Sequence, residues 1–319
     1  MATIAENLQT IQNIKQDIKT AIENKGVDMT NTPFTEYSTK IDEISSESIF
    51  ETINITQNGI YTPTDGIDGY NEIYVNITTP TEVLMFPNGV KLAYTKTNEI
   101  PNVFDFSNVT DMSSMFAYSA YLQTIPPINT SNVIDMGWMF DTCRRLTSIS
   151  QIDTSKVNNM KYMFHSCNNL TTIPPLDTGN VTNMERMFYD CYSLQSIPNL
   201  NTSNVTNMDD MFYNCSKLQS IPLLECGNVT NMSTIFGYSN LNKLTNLGGF
   251  KDLKISVTYK FLDLLPNLTT ESLMNVINNL YDLTANGLDG QSLSFGQTNL
   301  NKLNPEQIAV ATAKGWTLT

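Results

Sequence analysis

A methionine that returns every 24 residues constrains the fold of this 319-residue chain more than any other feature. The column consists of Met112, Met136, Met160, Met184, Met208 and Met232. A phenylalanine column keeps the same interval at Phe116, Phe140, Phe164, Phe188, Phe212 and Phe236. A unit this short cannot bury its own apolar face, so successive copies must stack and cover one another. The sequence therefore predicts a solenoid in which these columns form interior ladders.

The apolar positions within each copy predict its local structure. In the second copy they are Val133, Met136, Met139, Phe140 and Cys143. This spacing is typical of one face of a short helix. Residues 146–149 have the pattern of a short strand, which prolines end in other copies because proline cannot donate to a sheet ladder. We therefore expect a right-handed α/β solenoid with a parallel sheet on one face and short helices on the other.

Five cysteines are present, and four of them share the repeat interval. They are Cys143, Cys167, Cys191 and Cys215, with Cys226 outside the column. An odd number without a CxxC pair argues against a disulfide framework or a zinc ribbon. We expect buried small hydrophobic side chains, with an oxidised ladder and a metal site as the alternatives.

Net charge and the lack of a targeting segment exclude several partners. The formal net charge is −13, from 18 Lys and Arg and 31 Asp and Glu residues, without a basic cluster. Because phosphate binding needs concentrated cations, we expect neither nucleic acid nor an anionic membrane as a partner. No apolar run is long enough to span a membrane, and the N-terminus has no signal-peptide pattern.

The motifs of the common enzyme classes are missing, so we expect no enzyme and no cofactor. The chain has no phosphate-binding loop, dinucleotide fingerprint, serine-hydrolase elbow or zinc-protease motif. His165 is the single histidine, which excludes a multi-histidine metal site. It occupies a variable repeat position, where we expect an exposed side chain, and the same holds for Asp209 and Asp210.

Residues 1–48 form a predicted N-terminal helical segment. Its apolar stripe has a helical period and consists of Ile4, Leu8, Ile11, Ile14, Ile18 and Ile22. A narrow stripe without an adjacent partner favours association with copies of the same chain, and isoleucine at several core positions favours a trimer. The alternative is that the stripe packs on a second helix at residues 35–45.

The remaining segments are a small β domain at 49–80, the solenoid at 81–255 and a helical C-terminal cap at 256–319. In the β domain, Asn58-Gly59 lies between two strand-like runs and predicts a hairpin. Nearby carboxylates lack the spacing of an EF-hand, which disfavours a calcium site. In the cap, we expect amphipathic helices at about 270–283 and 305–314, with Gly315 just past the second.

Aromatic and amide side chains at variable repeat positions are the candidate receptor- or glycan-binding residues. They are Trp138, Tyr162, Tyr189, Tyr192, Tyr213, Gln195 and Gln219. Rings beside amide and hydroxyl groups are typical of sugar recognition, since the ring supplies apolar contact and the polar groups supply direction. The alternative is an ordinary solenoid surface.

Two copies of the repeat carry a resemblance to a known family. NVTNMERMFYDCYSL (180–194) and NVTNMDDMFYNCSKL (204–218) resemble the repeats of BspA-like leucine-rich-repeat surface proteins of bacteria. The resemblance covers about residues 100–250. It implies a leucine-rich-repeat-like solenoid, and an adhesive function.

The flanking segments resemble a different group of proteins. Residues 12–44, 55–77 and 305–319 are similar to modules of bacteriophage head- and tail-fibre proteins. This resemblance implies a virion fibre protein that attaches to other virion proteins through residues 1–48 and adheres to a host surface protein or polysaccharide. The alternatives are a structural decoration protein that binds virion subunits, and a bacterial cell-surface adhesin.

The N-terminal stripe leads to a prediction about oligomeric state. We expect the full chain to be a homo-oligomer, with a trimer favoured, and a chain lacking residues 1–48 to be monomeric, because the deletion removes the associating stripe. Light scattering coupled to size-exclusion chromatography measures both masses. Two monomeric masses would contradict the assembly role of this segment.

Overall fold

The computed structural model describes residues 51–55, 73–77, 84–85, 100, 104–237, 241–254 and 261–319. The N-terminal stripe from Ile4 to Ile22 and the Asn58-Gly59 turn lie outside the described residues, so the helical stripe and the hairpin stay predictions. Strand β1 (Glu51–Ile55) pairs with β2 (Ile73–Ile77) in parallel. The two strands therefore do not form an antiparallel hairpin with each other.

Residues 104–237 form stacked coils, which confirms the predicted solenoid. Parallel bridges join equivalent residues of successive coils, from Asp111↔Asp135 through Asn159 and Asn183 to Asn207↔Asn231. At each bridge one N–H group donates to a carbonyl of the next coil, and another donates to a carbonyl of the preceding coil. The amide of Met112 donates to the carbonyl of Asp135 at 2.9 Å, and that of Ile134 donates to the carbonyl of Thr110 at 2.8 Å. This pattern fixes the register of one coil on the next.

The predicted short helix at residues 133–143 is wrong, because this segment is a run of turns. Trp138 and Thr142 have left-handed backbone conformations, with φ of 56° and 60°. Equivalent residues of the other coils have the same left-handed conformation, namely Ser114, Tyr118, Tyr162, Ser166, Arg186, Asp190, Asp210 and Asn214. A helix would use its N–H groups within itself. Here the amides of Trp138 and Phe140 donate instead to Lys161 and Met163 of the next coil.

The predicted strand ladder is present but narrow. The amide of Thr147 donates to the carbonyl of Gln123 at 3.0 Å, and later coils repeat this bond. Paired two-residue strands occur towards the two ends of the solenoid. They are β3 (Leu84–Met85) with β4 (Phe104–Asp105), β5 (Ser220–Ile221) with β7 (Asn246–Leu247), and β6 (Leu224–Glu225) with β8 (Phe250–Lys251), all parallel.

The phenylalanine column forms the interior ladder that the sequence predicts. From Phe116 to Phe236 the rings are fully buried and stacked, with successive centroids 5.5 to 6.1 Å apart. Stacking of this kind adds about 0.5–1.5 kcal/mol per pair beyond the area buried.

Buried polar groups in the core bond from coil to coil. The Cys143 and Cys167 thiols donate to the carbonyls of Phe116 and Phe140 at 3.0 and 3.1 Å. The four column cysteines are buried, as predicted, and so is Cys226; all five are free thiols in the structure, and burial raises the pKa of each. Within the described residues, no cluster of His, Cys, Asp and Glu side chains could hold a metal ion.

The cap continues the ladder and closes it with helices. After a 3-10 turn (Phe261–Leu264), helix α1 (Thr270–Asn279) buries Leu273, Val276 and Ile277. Strand β9 (Gln291–Leu293) leads to helices α2 (Gly296–Leu300) and α3 (Pro305–Ala313), and β10 (Trp316–Leu318) returns parallel to β9. Helices α1 and α3 confirm the two predicted helices. No helix in the described part of the chain has the length and apolarity to cross a membrane.

The left-handed turns lead to a prediction about stability. Thr142 holds a φ of 60°, which costs about 1–2 kcal/mol for a β-branched residue, whereas asparagine adopts this conformation readily. We expect Thr142→Asn to raise the free energy of unfolding by about 1 kcal/mol, as urea denaturation would measure.

The matched control is Thr182→Asn. Asparagine also occurs in that repeat column, at Asn158, but Thr182 has no left-handed backbone. We expect no gain there. Equal gains at both sites would contradict the turn geometry.

Candidate functional site

Five aromatic side chains lie in contact along the turn edge of the solenoid. We call them the aromatic stripe: Trp138, Tyr162, His165, Tyr189 and Tyr213. Successive centroids are 5.4, 5.3, 5.0 and 4.4 Å apart. All five residues are half-buried. The stripe combines two repeat columns, because Trp138 and Tyr162 share one and His165, Tyr189 and Tyr213 share the other.

The rings of the stripe shield one another's faces. Tyr189 and Tyr213 are parallel to within 3°, and His165 contacts both Tyr162 and Tyr189. The far side of Tyr213 lies on Gly237, where an added Cβ would collide with the ring. The inner rings therefore present mainly their edges and hydroxyl groups outward. The sequence suggested open ring faces on which a sugar could stack. The stripe does not offer such faces.

Arg186 joins the two columns of the stripe electrostatically. Its Nε donates to Asp210 Oδ2 at 2.9 Å and its Nη1 to the Tyr162 hydroxyl at 2.6 Å. Its guanidinium carbon lies 5.4 and 5.5 Å from the ring centroids of Tyr162 and Tyr189. Burial alone would lower the pKa of Arg186, but the bonds to Asp210 and Tyr162 raise it overall.

A second cation lies at the Trp138 end of the stripe. Lys161 Nζ is 4.1 Å from the indole centroid, within the range of a cation–π contact. Among the described residues Lys161 forms no ion pair. Its charge is therefore not neutralised by any carboxylate in the part of the chain that the structure describes.

The expectation of exposed, solvated polar groups at these positions is wrong. His165 Nδ1 lies 2.6 Å from Asp141 Oδ1, with the two side chains 25% and 9% exposed. Asp210 binds Arg186, and Asp209 accepts from the amide and hydroxyl of Thr234. Stacking brings equivalent positions of neighbouring coils together, so variable residues pair across coils. The signal that could have found His165 and Arg186 is their place in the aromatic columns.

The other predicted site residues lie apart from the stripe contacts. Tyr192 is 41% exposed, and partial burial together with the negative charge of Asp190 raises the pKa of its phenol. Gln195 and Gln219 belong to the strand ladder, where the Gln219 amide donates to the Gln195 carbonyl at 2.9 Å. Their side chains form no hydrogen bond with the aromatic residues among the described contacts.

Comparison with known proteins identifies the repeat region. A family model described as "Mycoplasma protein of unknown function, DUF285" matches residues 85–173 and 146–246, which together span half of the chain. This match supports the BspA-like resemblance of the repeats. It does not extend to the segments that resemble phage fibre modules.

The other comparisons add little. No curated protein matches the chain. Among solved structures, the T. pallidum leucine-rich-repeat protein TpLRR is similar, with 15% identity and a TM-score of 0.34 over 74% of this chain and 85% of that chain.

The contact between Tyr213 and Gly237 leads to a prediction. Gly237→Ala adds a Cβ at a φ of 50°, where it would also displace the Tyr213 ring. We expect the free energy of unfolding to fall by about 1–3 kcal/mol, together with a weaker near-UV signal from the stacked tyrosines.

The control is Gly227→Ala, where the nearest atom to an added Cβ is the Asp252 Cβ at 3.6 Å. This variant should stay within about 0.5 kcal/mol of the unchanged chain. A Gly237→Ala variant of unchanged stability would show that Tyr213 does not rest on Gly237.

Proposed function

Because this chain belongs to the DUF285 family, for which the family description gives no function, we propose its function from its own surface. The proposal is a non-enzymatic fibre protein of a bacteriophage virion, which displays its solenoid for adhesion to the host surface. The aromatic stripe would carry the contact. The N-terminal segment would join copies of the chain to one another and to other virion proteins.

The composition and exposure of the stripe are the observation that supports adhesion. Tryptophan, tyrosine and arginine dominate the binding energy of protein interfaces. Here these residue types are half-exposed and held in place by stacking and by the Arg186–Asp210 pair. A pre-ordered surface loses little side-chain entropy on binding. Ring edges, hydroxyl groups and the Lys161 ammonium, which pairs with no described carboxylate, favour a host surface protein over a sugar at this position.

Association of several copies of the chain would strengthen a weak contact between each stripe and the host surface. A single stripe spans only four coils, from Trp138 to Tyr213. If residues 1–48 hold several chains together, each further contact becomes intramolecular and raises avidity. This reasoning connects the predicted oligomer to the adhesive role.

Two other functions fit parts of the same surface. A structural decoration protein would direct the stripe to other virion subunits. A bacterial cell-surface adhesin would follow from the BspA-like resemblance of the repeats. The three proposals differ in where the protein is located and in what it contacts.

A binding assay with full-length protein tests the adhesive role. We expect labelled protein to bind cells of the host species in a saturable manner. The double variant Tyr189→Ala/Tyr213→Ala should bind at least tenfold more weakly, since each hot-spot ring contributes about 1–2 kcal/mol. Flow cytometry over a concentration series measures both affinities.

The control for this assay is Tyr121→Ala. Tyr121 is 47% exposed and contacts Arg145 outside the stripe, so its loss should leave binding unchanged. Thermal unfolding of each variant separates lost binding from lost folding. Equal binding by the folded double variant would contradict the role of the stripe.

Electron microscopy with an antibody against the chain distinguishes the three locations. Label on fibres that project from the virion agrees with the proposal. Label on capsid or tail subunits, with no binding to cells, would favour the decoration protein. Label on the bacterial envelope without virions would favour the adhesin.

A further inference from the structure

A groove lies on the solenoid away from the aromatic stripe, where the segment after each strand turns back. Its volume is about 490 Å³, within the range of small-molecule sites. Leu176 and Leu200 form its apolar base, and Leu223, 37% exposed, forms one wall. An apolar base of this kind can contact the C–H face of a pyranose ring.

The rim of the groove carries hydrogen-bonding groups that have no partner among the described residues. The amide side chain of Asn199 forms no hydrogen bond with the described residues, and neither does Nδ2 of Asn201, whose Oδ1 accepts from Ser203. Asp177 accepts the Gly179 amide through Oδ1 alone, which leaves Oδ2 available. Donors and acceptors that line one groove can together bind the hydroxyl groups of a sugar.

Charge limits the kind of sugar that the groove can accept. The rim has two carboxylates, Asp177 and Glu225. Lys251 is already bound to Glu225 at 2.9 Å, and none of the residues lining the groove is basic. An acidic sugar would therefore meet like charge, whereas a neutral sugar would not.

An earlier coil shows what a longer amide does at the same repeat position. Gln151 occupies the Asn199 column two coils before it, and its Nε2 donates to the carbonyls of Pro175 at 2.8 Å and Ile152 at 3.2 Å. Asn199 is one methylene shorter and makes no such bond. The longer amide thus reaches the carbonyl of the next coil, and the shorter one does not.

We infer that this groove binds a neutral hexose unit of a host polysaccharide. The inference rests on the proposed adhesive function and adds to it a sugar subsite separate from the stripe. The stripe and the groove would then contact different components of one surface.

Saturation-transfer NMR on the full chain tests the groove directly. The probes are methyl galactoside, methyl glucoside and methyl mannoside, with glucuronic acid as the anionic comparison. We expect saturation transfer to at least one neutral glycoside and none to glucuronic acid. No transfer to any neutral glycoside, or equal transfer to glucuronic acid, would overturn the inference.

Variants at one position locate the binding. Asn199→Gln should reach the Leu223 carbonyl as Gln151 reaches that of Pro175, and it should weaken glycoside binding at least fivefold. Asn199→Ala leaves the groove open but removes the amide, and it should weaken binding about threefold or more. Asn169→Gln makes the same change at an exposed, unbonded position in another column and should have no effect. Unchanged binding by both Asn199 variants would overturn the inference.

The cell-binding assay separates failure of the groove from failure of the proposed function. Cell binding without glycoside binding would reject the groove and keep the adhesive role. Glycoside binding that Asn199→Gln abolishes, without cell binding, would keep the groove and reject that role.

Discussion

Backbone hydrogen bonding between coils is the constraint on which the rest of this structure depends. Each coil leaves half of the amides in its turn segment without a local partner, and these amides donate to the next coil, as Trp138 does to Lys161 and Phe140 to Met163. Since an unpaired buried amide is costly, a coil is stable only between two neighbours in fixed register. That register places like residues over one another. The phenylalanine ladder, the cysteine thiols on phenylalanine carbonyls and the bridged Asp and Asn column all follow from it.

The same stacking explains the surface. Because the backbone of every coil is nearly the same, differences between coils arise only from side chains at the variable positions. Where two large rings follow each other, as at Tyr189 and Tyr213, they stack, and the column ends where Gly237 gives the last ring a place to lie. Where a short amide stands in the column of a longer one, as Asn199 does for Gln151, its side chain makes no bond to the next coil, and a groove lies beside it. The stripe and the groove are thus variations on one scaffold, and the left-handed turns along the stripe recur from coil to coil rather than belonging to that site.

Several elements could be predicted from the sequence, and each has a local or periodic cause. The buried phenylalanine and cysteine columns follow from a constant interval, and α3 follows from Pro305 in its first turn and Gly315 after its end. The helix predicted at 133–143 failed because apolar residues three and four apart fit a run of turns as well as a helix. The two differ only in which carbonyl each backbone amide donates to, and for half of these amides that carbonyl lies in another coil. The parallel pairing of β1 with β2 also joins residues far apart in the sequence. A turn motif such as Asn58-Gly59 predicts only the conformation of its own turn.

The sequence alone determined the period, the interior columns and the family of the repeats, because a fixed interval and a repeated motif are properties of a linear chain. It also identified four of the five rings of the stripe. The tertiary structure decided how these rings face, that His165 binds Asp141 and Arg186 binds Asp210, and where a groove opens between coils. The His165–Asp141 and Arg186–Asp210 contacts each join residues 24 positions apart. Their geometry depends on the stacking distance and on the size of the residue in the next coil, which no single repeat contains.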